Sequence, residues 1–98
     1  MLLDARNMEY TALNEVIRNT DSEIEIINCL GQRFIGAGSH DKNITIHGIP
    51  GNALGAYLNG AQITVHSNAQ DAVGDTMNAG RIVIHGSIGD AASLAQMR

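Results

Sequence analysis

The stretch ITIHGIPGNALGAYLNGAQ at residues 44–62 is followed by ITVHSNAQDAVGDTMNAGR at 63–81 and IVIHGSIGDAASLAQMR at 82–98, a repeat with a period of 19 residues. A looser row, IEIINCLGQRFIGAGSHDKN, begins at Ile24 and has 20 residues, one being inserted before Gly36. Self-similarity over successive rows is the signature of a solenoid, in which each repeat buries its apolar side only against its neighbours. Each row opens with strict alternation: Ile44 and Ile46 against Thr45 and His47, Ile63 and Val65 against Thr64 and His66, Ile82 and Ile84 against Val83 and His85. Period two with β-branched residues reads as a strand with one buried face, so the isoleucine and valine columns point inward and the histidines outward. The second half of each row carries glycine at matched positions (Gly51, Gly55; Gly74; Gly89), then Leu58 or Met77, then Asn59 or Asn78. Recurring glycines suit corners that need positive φ or close stacking. The spacing predicts an all-β fold, a parallel β-helix with one coil per row and strands stacked about 4.8 Å apart.

Ahead of the rows, YTALNEVIR at 10–18 reads as a short helix, with Ala12, Leu13, Val16 and Ile17 on one stripe and Thr11 as its N-cap. Residues 1–22 are expected to form a helical lead-in that caps the raw end of the stack, and residues 23–98 the repeats. The single proline, Pro50, falls at a corner.

The chain of 98 residues is long enough for one domain and too short for two cores. Ten acidic against 6 basic residues, net −4, supply no basic footprint for nucleic acid or an anionic membrane. No apolar run is long enough to span a bilayer, and the charged start MLLDARNMEY lacks a signal peptide's apolar stretch, so a cytoplasmic protein is expected. A lone Cys29 cannot form an internal disulfide or hold an iron–sulfur cluster. Aromatic residues make up only 3% of the chain, so a repetitive aliphatic core must supply the bulk that Phe, Tyr and Trp usually provide.

The strings HGIPGNALGAYLNG at 47–60, NAQDAVGDTMNAGRIVIHG at 68–86, LNEVIR at 13–18 and GQRFIGAG at 31–38 resemble the glycine-repeat (GXGXG) domain at the C-terminal end of the large subunit of glutamate synthase. The same domain occurs in the C subunit of formylmethanofuran dehydrogenase. The resemblance runs from Asp4 onward. It implies a right-handed parallel β-helix with no catalytic residues and no cofactor of its own, a structural module that contacts glutaminase and flavin-bearing synthase domains. The sequence departs from the pattern where the glycine column fails at Ser67, Gln70 and Ser93. It also stops at Arg98, where the family runs on through further coils, so a truncated homologue or a fragment of a longer protein is expected.

The column His47, His66, His85 is the one arrangement with ligand chemistry, since imidazoles on neighbouring strands are Zn²⁺ ligands when they converge. Stacked side chains point the same way, so an outer-face ladder is the preferred reading and no metal is expected. Gly36-Ala37-Gly38 lacks the helix that a dinucleotide loop needs and reads as a turn. Cys29 lacks an identifiable base and reads as a buried or corner thiol. Asp71, Asp75 and Asp90 are read as corner residues accepting backbone N–H bonds rather than as an acid–base pair, and Asn59 and Asn78 as an asparagine step bonded along the stack.

Two functions from different classes fit. The first is a non-catalytic docking module for a glutamate-synthase-type amidotransferase and oxidoreductase, whose partners are glutaminase or flavin-synthase subunits or a second copy of the chain. The second is a hexapeptide-repeat-like acyltransferase with a histidine as general base. That alternative needs an aliphatic residue at every sixth position, where Pro50 and Ala69 follow Ile44 and Ile63. The short final row leaves an open end, so self-association or partner contact is expected at Ile82, Ile84, Ile88 and Leu94.

Overall fold

The computed structural model describes residues 1–70 and 72–86. The elements in chain order are β1 (Leu2–Asp4), helix α1 (Tyr10–Arg18), β2 (Ser22–Leu30), β3 (Lys42–Ile49), β4 (Asn59–Val65) and β5 (Ala79–Ile84), the last four built on the alternating runs. They form one parallel sheet in the order β1-β2-β3-β4-β5. The expected closed parallel β-helix is therefore corrected to a five-stranded parallel sheet with one short helix. The reason lies in the second halves of the first three rows, which among the described residues make turns and contribute no strand to a second wall.

The repeat sets the register. Ile24, Ile44, Ile63 and Ile82 pair in one column, and Ile26, Ile46, Val65 and Ile84 in the next. The extra residue of the first row is Asn28, a bulge at φ 60° between Ile27 and Cys29 that returns the Cys29 side chain to the core. Its amide donates to Asp4 Oδ1 at 2.9 Å, and the Arg6 N–H donates to the same oxygen at 3.0 Å. The two bonds, that of Asn28 first, hold the Asp4 carboxyl below its ordinary pKa.

Between the strands the turns stack as regularly as the sheet does. Positive φ recurs in three columns: Phe34, Ala53 and Ala72; Gly36, Gly55 and Gly74; Gly38, Tyr57 and Thr76. The N–H of Gly55 donates to Ile35 O at 2.9 Å and that of Gly74 to Leu54 O at 2.7 Å, so the turns are bonded row to row. Ile35, Leu54 and Val73 fill the space between turns and sheet and are fully buried. In the middle column a β-carbon would crowd the isoleucines: one on Gly36 would stand 2.9 Å from Ile63 Cδ1, so that methyl group would have to shift to admit it. With turn backbone this close to the isoleucine columns no aromatic ring fits between them, and Tyr10, Phe34 and Tyr57 all lie outside the core.

Helix α1 has the predicted bounds, but Glu9 rather than Thr11 holds the N-cap position, with no side-chain cap bond. Its buried residues are Leu13 and Ile17, while Ala12 is exposed. Asn14 ties the helix to the first turn: the Gly36 N–H donates to Asn14 Oδ1 at 3.0 Å, and Asn14 Nδ2 donates to Arg33 O and Tyr10 O. Asn14 thus takes the place in the turn stack that Ile35 O holds for Gly55. The alternation did not reveal β1, which pairs with β2 through Leu3 and Ile26. Ile46 and Val65 are fully buried as expected, but Ile84 is only partly buried because β5 has a single neighbour among the described residues.

Candidate functional site

The outer face of the sheet carries the histidines. In-register pairing of Ile27 with His47 and the repeat of 19 place His47, His66 and His85 in one exposed column. Their rings stack at 5.1 Å between centroids, with interplanar angles of 12° and 8°. An ion about 2.0–2.1 Å from a ring nitrogen must lie near that ring's plane, and parallel rings this far apart share no such point. The described residues contain no group of three His, Cys, Asp or Glu side chains able to hold a metal. At one end of the ladder His47 Nε2 lies 2.7 Å from Glu25 Oε2. This carboxylate–imidazole pair orients the ring, but among the described residues no hydroxyl or thiol is bonded to His47 to complete a nucleophile.

Cys29 is almost fully buried; its Sγ donates to Gln32 Oε1 at 3.4 Å and lies 3.7 Å from Ile49 O. Burial pushes the thiol up to about 11, which keeps it protonated and unreactive near neutrality. Gly36 and Gly38 are left-handed turn residues, Gly36 packed on the isoleucine column. Asp75 accepts from the Thr76 hydroxyl, and Asp71 and Asp90 lie outside the described residues. Asn59 and Asn78 use their backbone N–H groups, donating to Ser39 O and Leu58 O, and their exposed side chains share no hydrogen bond, so the asparagine step is corrected.

Of the residues expected at an interface, Ile82 is fully buried beneath Gly55 and Ile84 is partly buried, while Ile88 and Leu94 lie outside the described residues. Sequence reasoning missed a surface cluster on the turn side. The Arg33 guanidinium lies over the Tyr10 ring at 5.2 Å and the Phe34 ring at 5.9 Å, and the two rings are 5.9 Å apart. The signal available was compositional: a chain so poor in aromatics spends two of them here.

No helix among the described residues is long and apolar enough to cross a membrane. The chain is 46% identical to an uncharacterized protein of Methanocaldococcus jannaschii over 61% of its own length, and spans 26% of the length of that relative. No solved structure matches it significantly. The GXGXG motif matches residues 4–97, which include the three described rows of stacked turns built on Gly36, Gly55 and Gly74, and the chain belongs to the GXGXG motif family.

Proposed function

We propose that this chain is a non-catalytic docking module that serves a glutamine amidotransferase or glutamate-synthase-type oxidoreductase. The observation that carries the reading is the family match over residues 4–97. The chemistry of the side chains supports it. The single thiol is buried and held protonated, and His47, His66 and His85 are spent on an exposed ladder whose one anionic partner among the described residues is Glu25. A stack of this kind is rigid and regular, which suits a surface that positions other domains.

The test is co-purification from native extract through a tag on this chain. Recovery of glutaminase or flavin-bearing synthase subunits in fixed stoichiometry is expected. Recovery of neither, together with saturable acyl-CoA binding by the purified protein, would replace this reading with an acyltransferase.

A further inference from the structure

We propose that the Tyr10–Arg33–Phe34 cluster is a docking site for a partner-protein segment that presents one carboxylate beside an apolar side chain; this rests on the docking-module reading and names its surface. Phe34 holds φ at 59°, a left-handed conformation that is unfavourable for a bulky residue, and the residue is 40% exposed. The same column carries alanine at Ala53 and Ala72, so the fold does not itself require a ring there. Arg33 lies over both rings, and among the described residues no carboxylate lies within ion-pair distance of it. A guanidinium held by aromatic faces keeps its N–H fork pre-organised for a carboxylate. Beside the cluster is a cleft of about 370 Å³, with Tyr10 and Phe34 among its lining residues and Arg18 and Glu15 adding one charge of each sign. Together with Arg33 this leaves a local excess of one positive charge. Exposed Arg33 and Phe34 beside a half-buried Tyr10 have the composition of an interface anchor. A single carboxylate fits better than a nucleic-acid strand, because the chain's net charge of −4 repels a row of phosphates.

The test is an NMR titration of the full chain with acetyl-Gly-Leu-Glu-Leu-Gly-amide, with the same peptide carrying Gln for Glu, and with a short oligouridylate. Saturable shifts at Tyr10, Arg33 and Phe34 are expected with the Glu peptide, about tenfold weaker binding with the Gln peptide, and loss of binding in Arg33→Gln. Phe34→Gly should abolish binding while raising the melting temperature, a combination that a merely structural ring would not give. Equal binding of the two peptides, indifference to Arg33→Gln, or a preference for the oligouridylate overturns the proposal. Failure of the Glu peptide while glutaminase or flavoprotein subunits still co-purify removes this site and leaves the docking-module reading in place. Binding at Arg33 without co-purification keeps the site and removes that assembly.

Discussion

Gly55 lies directly over Ile82: a β-carbon built on the glycine would stand 2.6 Å from Ile82 Cδ1 and 3.3 Å from Ile63 Cδ1. The turn stack and the sheet therefore touch through glycine backbone on one side and isoleucine methyls on the other. Gly55→Ala combines overpacking with a left-handed φ of 66°, and should destabilise the fold by about 2–4 kcal/mol. Gly38 has φ 71° but open space around it, so Gly38→Ala should cost only about 1 kcal/mol. Urea melts of the two variants check the difference, and equal losses would refute the close contact.

Asn14 should matter more than an average helix residue. Asn14→Ala leaves the Gly36 N–H without its acceptor in a part-buried position, a loss of about 1–3 kcal/mol. Asn14→Asp keeps an acceptor for that N–H and loses the donors to Tyr10 O and Arg33 O, so it should fall between the two. Hydrogen exchange at Gly36 is the direct readout: it should quicken in Asn14→Ala and stay slow in Asn14→Asp.

The strands were legible because their alternation is written in residue types that only one face can bury: Ile44 and Ile46 inward, Thr45 and His47 outward. Helix α1 was legible for the same reason at helical spacing. The turn stack was not, because two of its three left-handed columns are held, Gly38 apart, by Phe34, Ala53, Ala72, Tyr57 and Thr76, residues that do not announce positive φ. Counting those halves as coil walls produced the expectation of closure. β1 was missed because Leu2–Asp4 is too short for any period to show, and its pairing with β2 is tertiary. On the surface, the histidine column followed from spacing alone, while the Glu25–His47 and Arg33–Phe34 contacts depend on side-chain reach across rows.

Cys29 gives the fold a weakness in alkali. Its pKa is raised by burial from 9.0 to about 11, so the folded state holds the proton more tightly than the unfolded chain does. The resulting stability is fully present below pH 9.0 and is lost as pH rises towards about 11. Cys29→Ser or Cys29→Ala should flatten that decline, as measured by melting temperature across the window. Asp4 works on the opposite limb: its lowered pKa gives stability above the ordinary carboxyl range that falls away in acid, and Asn28→Ala should weaken it.

The inward column can be tested by charge. Val65 is fully buried between Ile46 and Ile84, so Val65→Asp places an unpaired carboxylate in the core, costs several kcal/mol and should prevent folding. Thr64 sits one residue away on the outer face beside Thr45 and Val83, and Thr64→Asp should remain folded. A cooperative melt from Val65→Asp would show that the register is wrong.

The histidine ladder should be dispensable for both stability and metal content. Its rings are exposed and parallel, so His66→Gln removes stacking on both neighbours but no buried contact, and should change stability by no more than about 0.5 kcal/mol. The triple variant His47→Gln, His66→Gln, His85→Gln should likewise leave the chemistry of an assembled complex intact. Among the described residues His47 is the one member with a hydrogen-bonded carboxylate, so His47→Gln should be the most costly of the three single changes. Zinc analysis of purified protein supplies the decisive comparison: stoichiometric zinc that disappears with His66→Gln would mean the rings rotate out of their stack to converge on an ion, and the ladder would then be a binding site.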